Sequence, residues 1–237
     1  MKIVRWVVPV LFSVLTGCMQ HQMVVKVKQD GSGTIEATNL IYKILYDQSM
    51  ARGGLPISEK LAKNFGEDVT LISREKAVNG EFEGLKAVFA FKDCTKLKIQ
   101  LGSKDQLVIV HFSKMPSGNA LLTVACPQIK PHVSPVGGKK STMEEIQKKK
   151  AMLKGLKFSV TIEVEGRVVK TNALALDGSR LILMELDGDK LLADEAKLNE
   201  IMIGNPQTIE DVRDLLKNAK GVKLPPVGEV SIEFAKR

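Results

Sequence analysis

The chain has 237 residues, of which 44% are hydrophobic, and its formal net charge is +8. A chain of this length and composition can bury one substantial core or two small ones. After residue 17 no apolar run approaches the roughly 20 residues of a bilayer-spanning helix, so none is expected there.

The first 17 residues have the build of a secretory signal peptide. Lys2 and Arg5 form a cationic start, and an apolar core of about ten residues extends from Trp6 to Leu15. Pro9 interrupts this core, which is also too short to cross a bilayer as a helix. The sequence therefore predicts that the protein is exported.

The apolar core is followed by Leu15-Thr16-Gly17-Cys18, which resembles the lipobox of bacterial lipoproteins. The resemblance implies that the Cys18 thiol receives a diacylglyceryl group, that residues 1–17 are removed, and that the new amino group is often acylated. Two or more acyl chains hold a protein on a membrane, whereas one chain holds it only marginally. Met19 stands where Asp would favour retention, so the outer membrane is expected if the cell has two membranes. The alternative is an ordinary secreted protein with a chance cysteine.

Removal of the leader also lowers the net charge. Without Lys2 and Arg5, 33 basic residues remain against 27 acidic ones, which gives about +6. This charge favours anionic surfaces, but an exported lipoprotein has little access to nucleic acid, so no nucleic-acid partner is expected. We expect residues 18–23 to act as anchor and tether, and residues 24–237 to form a single α+β globular domain.

The processed chain opens with a predicted β-hairpin over residues 24–41. Val25 and Val27 alternate with lysines, which is the two-residue period of a half-buried strand. Asp30-Gly31-Ser32-Gly33 supplies residues that tolerate the positive φ of a tight connection. A phosphate-binding loop would need another glycine and a following helix, so this stretch indicates a turn.

A short helix over residues 56–65 and then four strands are predicted. The helix is indicated by apolar residues at a spacing of four after a proline. The strands are expected near 69–76 and at 85–93, 107–112 and 120–126. Both faces of the strand at 107–112 are apolar, which predicts a central strand covered on both sides.

Cys94 and Cys126 would lie in an oxidising compartment, where a disulfide is the obvious expectation. If the strands at 85–93, 107–112 and 120–126 form a plain meander, however, the two cysteines lie about 9.5 Å apart. A disulfide needs Cα atoms within about 7 Å. The spacing argues against a bridge, and both alternatives stay open.

Residues 127–141 are rich in proline and glycine and are predicted to form an exposed loop. A helix over residues 142–157 follows, and Thr142 with Glu145 forms a capping box at its start. Its basic residues include Lys148, Lys149 and Lys154. These lysines are candidate contacts to an anionic membrane, each adding about 1 kcal/mol; the alternative is an ordinary solvated helix face.

Strand patterns dominate the next part of the chain. Residues 158–165 alternate in hydrophobicity, Gly166 indicates a bulge or bend, and Asp177-Gly178 indicates a hairpin tip between 168–176 and 180–186. Helices near 190–202 and after Thr208, and a last strand at 229–234, complete the prediction. Runs of strands with few helices predict an α+β fold, mainly antiparallel with several short helices.

No catalytic or metal site is predicted, and no cofactor is expected. The three histidines, His21, His111 and His132, lack the spacing of a zinc helix, and His111 is expected to be structural. Ser73–Lys76 matches S-x-x-K, but the other motifs of penicillin-binding-type enzymes are missing. Asp187–Asp189 is expected to form a turn before a helix rather than a calcium site.

Two stretches resemble LppM-like bacterial envelope lipoproteins: the hairpin with D-G-S-G, and VEGRVVKTNALALDG at 164–178, which contains Asn172. The chain departs from their pattern at Glu165-Gly166, where Pro-Gly is usual, and no tryptophan follows the turn. The resemblance implies an α+β domain similar to helix-grip lipid carriers, with an apolar cavity and a lipid or glycolipid ligand.

The sequence thus predicts a lipid-anchored, non-enzymatic envelope lipoprotein whose folded body binds a lipid or another apolar ligand. The alternative is an envelope assembly or protein-interaction module without a ligand. An enzyme is disfavoured, because no acid, base and nucleophile converge in the pattern.

Overall fold

The structure is a computed structural model that describes residues 19–51, 59–101, 106–127, 143–173, 176–203 and 209–236. These ranges contain thirteen strands and six short α-helices. All strand pairs for which a register is given are antiparallel. The prediction of an α+β fold, mainly antiparallel with several short helices, is confirmed.

The strands are β1 (Met19–Val27), β2 (Gly33–Tyr42), β3 (Thr70–Asn79), β4 (Phe82–Phe91), β5 (Ile99–Gln100), β6 (Leu107–Lys114), β7 (Ala120–Ala125), β8 (Lys157–Val164), β9 (Arg167–Thr171), β10 (Leu176–Asp177), β11 (Arg180–Asp187), β12 (Val222–Lys223) and β13 (Glu229–Ala235). The helices are α1 (Lys43–Ala51), α2 (Glu59–Phe65), α3 (Met143–Leu153), α4 (Gly188–Leu192), α5 (Glu195–Ile203) and α6 (Ile209–Leu216).

The strands form two sheets. The first has the order β10-β11-β8-β1-β2-β4-β3, with β12 paired to β11, and the second has the order β5-β6-β7-β13-β9. In β1 from Met23 onward and in the first half of β2, alternate residues are buried, as the two-residue period requires. Those of β1 and β2 are Met23, Val25, Val27, Ile35 and Ala37. Full burial of such an aliphatic side chain contributes about 1.5–3 kcal/mol.

The chain divides into two compact units, where the sequence predicts one domain over residues 24–237. One unit comprises Gln20–Gln128, Phe158–Glu185 and Lys223–Arg237, and it holds most of the strands. The other comprises Met1–Met19, Ile129–Lys157 and Leu186–Val222. Within the second unit α3 packs on α4, α4 on α5 and α5 on α6, and its buried residues include Leu153, Leu191 and Leu198.

The predicted hairpin between β1 and β2 is confirmed. Lys28 N donates to Ser32 O at 2.8 Å, and Gly31 has a φ of +84°. Asp30 Oδ1 accepts from Ser32 Oγ at 2.6 Å and from Ser32 N at 2.9 Å, and these two hydrogen bonds hold the pKa of Asp30 below its ordinary value. The glycine-rich stretch is therefore a turn.

The first sheet curls at its β3 edge. A Cβ atom at Gly84 would lie 2.0 Å from Asn39 O and 2.9 Å from Leu40 Cα, so β2 and β4 approach closely where only glycine fits. Asn79 of β3 donates to Gln20 Oε1 of β1 at 2.9 Å, although β2 and β4 lie between those strands. A flat sheet would separate β1 and β3 by about 14 Å. The curl therefore brings the end of β3 back to the start of β1.

The strands at 85–93, 107–112 and 120–126 do not form the plain meander that the spacing argument for the two cysteines assumed. The strand at 85–93 is β4, which pairs with β2 and β3 in the first sheet, whereas β6 and β7 belong to the second sheet. A 3-10 turn at Cys94–Lys96 follows β4 instead of a tight hairpin. Cys94 and Cys126 are not joined by a disulfide, so the expectation against a bridge agrees with the structure although its geometric premise does not.

The prediction that the strand at 107–112 is central and covered on both faces is also wrong. In β6, Val108 and Val110 are buried, whereas Leu107 and Ile109 are 38% and 57% exposed and His111 is exposed as well. One neighbour of β6 is the two-residue β5, so the strand lies near the edge of its sheet. An apolar pattern on both faces does not reveal whether both are covered, and here one faces solvent.

Two local predictions hold and two need correction. Gly166 marks the bend at which the chain passes from β8 of the first sheet to β9 of the second. Gly178 forms the tip of the β10–β11 hairpin, with a φ of +59°. Residues 167–171, however, pair with β13 and not with β11, and the predicted helix over 190–202 is divided into α4 and α5.

Candidate functional site

The predicted lipidation residue, Cys18, lies outside the described residues, as do the leader and the predicted loop over 127–141 except for Pro127. Strand β1 begins at Met19, so residues 19–23, which the sequence predicts as a tether, are part of the sheet. Two residues of chain span at most about 7 Å. An acyl group on Cys18 would therefore be attached close to Gln20, at the start of β1.

The three lysines predicted to contact an anionic surface do not lie on one helix. Lys148 is exposed and Lys149 is half-buried on α3, whereas Lys154 follows the last residue of that helix and is exposed. The helix is followed by Gly155, which has a φ of +72° and donates from its N to Asp189 Oδ1 at 2.9 Å. Membrane contact through these lysines stays a prediction.

A group of exposed apolar side chains lies where β1 begins, and we call it the anchor-proximal surface. It consists of Ile44 and Leu45 at the start of α1 and Val78 of β3, which are 68%, 38% and 63% exposed. No local sequence pattern reveals this surface, because its residues are divided between a helix and a strand that are far apart in the chain.

Backbone pairing places these residues at one end of the sheet. Tyr42, the last residue of β2, pairs with Phe82, the first of β4, and Phe82 pairs with Asn79 at the end of β3. Lys43 N at the start of α1 donates to Glu81 O at 2.9 Å. Because Asn79 also donates to Gln20, the start of β1 belongs to the same end.

Aromatic and charged contacts fix α1 at this end. Tyr46 is buried, and the Lys76 ammonium lies 5.8 Å from the centre of its ring. Lys76 also forms an ion pair with Glu83, whose carboxylate is nearly fully buried. The hydrogen bond to Glu83 raises the pKa of Lys76. The helix is therefore held by Tyr46, while Ile44, Leu45 and Met50 remain outside.

His21 is a second feature that the sequence analysis did not single out. Its Nδ1 lies 2.5 Å from Asn39 Oδ1, and its ring stacks on Phe158 with the ring centres 5.3 Å apart. Burial lowers the pKa of His21, and the hydrogen bond to Asn39 only partly offsets that effect. His21 is thus a structural histidine, the role that the sequence suggested for His111.

The outward face of β6 and β7 is a second exposed apolar area, and we call it the β6–β7 face. Ile109 pairs with Ala125, and His111 pairs with Thr123. The next strand, β13, places Glu229 beside Ala125 and Glu233 beside Leu121, and Asn119 Nδ2 donates to Glu233 Oε1 at 2.5 Å. The exposed aliphatic side chains of Leu107 and Ile109 therefore lie at one end of this face, and polar side chains of β6, β7 and β13 lie beside them.

Asn172, the asparagine of the stretch that resembles LppM-like proteins, has a structural role. Its Oδ1 accepts from Ser231 N at 2.7 Å, and its Nδ2 donates to Glu229 O at 3.2 Å. The neighbouring Thr171 Oγ1 donates to Ser231 O at 2.7 Å. These side chains continue the pairing of β9 with β13 past the end of β9.

Other residues that the sequence offers for chemistry have structural positions. Ser73 and Lys76 are three apart in β3 and so point to opposite faces of the strand. Asp187 caps the start of α4, with its side chain accepting from Lys190 N at 3.1 Å. In the described part of the chain, no three His, Cys, Asp or Glu residues are grouped to hold a metal ion. None of the described helices is long and apolar enough to span a membrane.

Comparisons with known proteins find one weak structural likeness and no sequence relative. No protein-family model matches the chain, and no curated protein matches it. Among solved structures, the chain is similar to the NMR structure of the folded domain of LppM from Mycobacterium tuberculosis, with 9% sequence identity and a TM-score of 0.34. That alignment covers 92% of this chain and 90% of the LppM domain. The likeness is a weak one, in fold alone.

Proposed function

We propose that this protein is a lipid-anchored, non-enzymatic lipoprotein of the bacterial cell envelope whose folded body binds a lipid or another apolar ligand. The anchor is supported by Leu15-Thr16-Gly17-Cys18 directly after a cationic start and an apolar core. The outer membrane is the expected location where the cell has one.

The ligand is supported chiefly by the exposed β6–β7 face. Leu107 and Ile109 leave aliphatic surface in water, and burial of half of such a side chain would contribute about 1 kcal/mol. Contiguous exposed apolar patches commonly mark binding sites. Glu229, Ser231 and Glu233 of β13, the strand on the other side of β7, lie on the same face of the sheet as Ile109. The face therefore suits an amphiphile with an apolar chain and a polar head.

The non-enzymatic part of the proposal is supported by the roles of the titratable groups. Glu83 is paired with Lys76, His21 is held by Asn39 and Phe158, and Asp187 is a helix cap. Such groups stabilise local structure, and none of these interactions places a base beside a nucleophile.

A second candidate function, assembly with another envelope protein, is favoured by β3. This ten-residue strand lies at the edge of the first sheet, and most of its residues, including Ile72, are exposed on both faces. Exposed edge strands are sites at which a partner can add a strand. Crosslinking in intact cells tests this function, because a protein crosslinked to β3 supports assembly.

Native mass spectrometry tests the ligand. The protein purified from its own host in mild detergent should carry a co-purifying lipid in addition to its covalent acyl groups. Ile109→Lys should lower the bound fraction at least about fivefold, because a charge opposes burial of an apolar chain. Val169→Lys is the matched control, since Val169 is 47% exposed on β9 of the same sheet. A wild-type mass without ligand, or equal loss in both variants, would contradict the proposal.

Metabolic labelling tests the anchor. Cells grown with radiolabelled palmitate should yield labelled protein whose mass corresponds to a start at Cys18. Cys18→Ser should abolish the label and leave the leader attached. An unlabelled wild-type protein would refute the lipoprotein assignment.

A further inference from the structure

We propose that the anchor-proximal surface inserts into the lipid bilayer that holds the acylated Cys18, so that Ile44, Leu45 and Val78 lie among the lipids. This inference rests on the proposed lipid anchor. It adds an orientation: the end of the first sheet at which β1 begins faces the membrane.

The predicted anchor residue lies close in the chain to this end of the first sheet. Cys18 is two residues from Gln20 and therefore at most about 7 Å away, and Gln20 is hydrogen-bonded to Asn79, the residue after Val78. Since β1 begins at Met19, no tether separates the anchor from the sheet. The lipids around the acyl chains are consequently brought to this end of the sheet.

The anchor-proximal surface exposes apolar side chains. Ile44 and Val78 are about two-thirds exposed, and Leu45 is exposed to a lesser degree. Apolar side chains on a helix that lies in the membrane interface bury themselves at the boundary of headgroups and acyl chains. Tyr46 and the Tyr42–Phe82 stack hold α1 on the sheet, so these side chains are presented on a fixed support.

The charged residues around the anchor-proximal surface indicate which kind of lipid it suits. Among the described residues near the surface, Lys43 and Lys76 are basic and Asp47, Glu81 and Glu83 are acidic. These described residues form no basic patch, so the surface suits a zwitterionic interface. Insertion through it should not depend on anionic lipid, in contrast to contact through Lys148, Lys149 and Lys154.

Tryptophan fluorescence offers a direct test. The only tryptophan of the chain is Trp6, which is removed with the leader, so the processed protein contains none. Full-length protein carrying Ile44→Trp is produced in a host that processes lipoproteins, and the purified product is placed in phosphatidylcholine vesicles with or without brominated acyl chains. Lys28→Trp is the control, because Lys28 is exposed at the other end of β1, about 26 Å from Gln20.

The emission of the Ile44→Trp protein should shift to the blue, and brominated lipid should quench it at least about threefold more than it quenches the Lys28→Trp protein. Replacing a third of the lipid with phosphatidylglycerol should leave this ratio unchanged. Val78→Trp provides a second position if Ile44→Trp does not fold by circular dichroism, and the same ratio is expected for it.

The mass of each sample separates the two proposals. If the Ile44→Trp or Val78→Trp protein is processed and acylated but is quenched no more than the Lys28→Trp protein, the membrane orientation is overturned and the anchor stays intact. A protein that keeps its leader would refute the anchor and the orientation together. Quenching that requires phosphatidylglycerol would contradict the zwitterionic surface and favour the lysines of α3.

Discussion

Replacement of Gly84 by alanine tests whether the curl of the first sheet depends on that glycine. The new Cβ atom would lie 2.0 Å from Asn39 O and 2.9 Å from Leu40 Cα. Both obstacles are backbone atoms of β2 and cannot rotate away, so β2 and β4 must separate by about 1 Å to restore a normal contact. The φ of Gly84 is not positive, so the clash, and not backbone strain, is the expected cause of any loss.

The expected cost follows from the geometry. Overpacking costs about 1–3 kcal/mol, and weakening the ladder around the Leu40–Gly84 pair removes about 1 kcal/mol for each hydrogen bond lost. The lower entropy of the unfolded alanine chain returns about 0.4–1 kcal/mol. We expect a net loss of about 3 kcal/mol in the free energy of unfolding, which lowers Tm by about 6–12 °C for a chain of this size.

Urea and thermal unfolding of the processed protein, followed by far-ultraviolet circular dichroism, measure this loss. Gly80→Asn is the matched control, because Gly80 lies in the adjacent β3–β4 turn with a φ of +60° and has no neighbouring atom within 4 Å of a Cβ position. Asparagine tolerates that φ, so the control should stay within about 0.5 kcal/mol of wild type. An equally stable or more stable Gly84→Ala protein would refute the reasoning about the curl.

Three further changes are predicted. Burial lowers the pKa of His21 from 6.5, so just below that pH the unfolded chain binds more protons than the folded one and stability falls as the pH decreases. The Tm of the wild-type protein should therefore drop more steeply between pH 7 and 5 than the Tm of His21→Gln. Identical slopes would contradict the structural assignment of His21. Burial raises the pKa of the Cys94 thiol to about 12, so the thiol should not react with an alkylating reagent at pH 8 in the folded protein. Peptide mapping should find Cys94 unmodified in the folded protein and modified in urea. Equal rates of alkylation in the two states would show that Cys94 is accessible. Asn172→Ala removes two hydrogen bonds to the backbone of β13 and a longer one from Ser231 Oγ, and it should cost about 1–2 kcal/mol in urea unfolding. Asn172→Asp keeps the acceptor for Ser231 N and should lose less, so an equal or larger loss would disagree with the structural role.

Local chemistry determined much of this fold. The two-residue period of β1, β2 and β13, the turn at Asp30–Gly33, and the bend at Gly166 are all visible in the sequence. Each depends on residues that are neighbours in the chain: alternating side chains select a half-buried strand, and glycine permits a turn or a close approach. The same is true of the predicted lipobox, which is a contiguous motif.

Only the tertiary structure decided which strands are partners and which apolar faces remain exposed. The pattern of β4 does not encode its pairing with β2 and β3 rather than with β6, and the alternation of β6 does not encode that Ile109 is exposed while Val110 is buried. Nor does any local pattern bring Asn79 to Gln20, or His21 to Asn39 and Phe158. The hydrophobic period of a segment shows which of its side chains need burial. Strand pairing and the covering of an apolar face depend instead on contacts between segments that are distant in the chain.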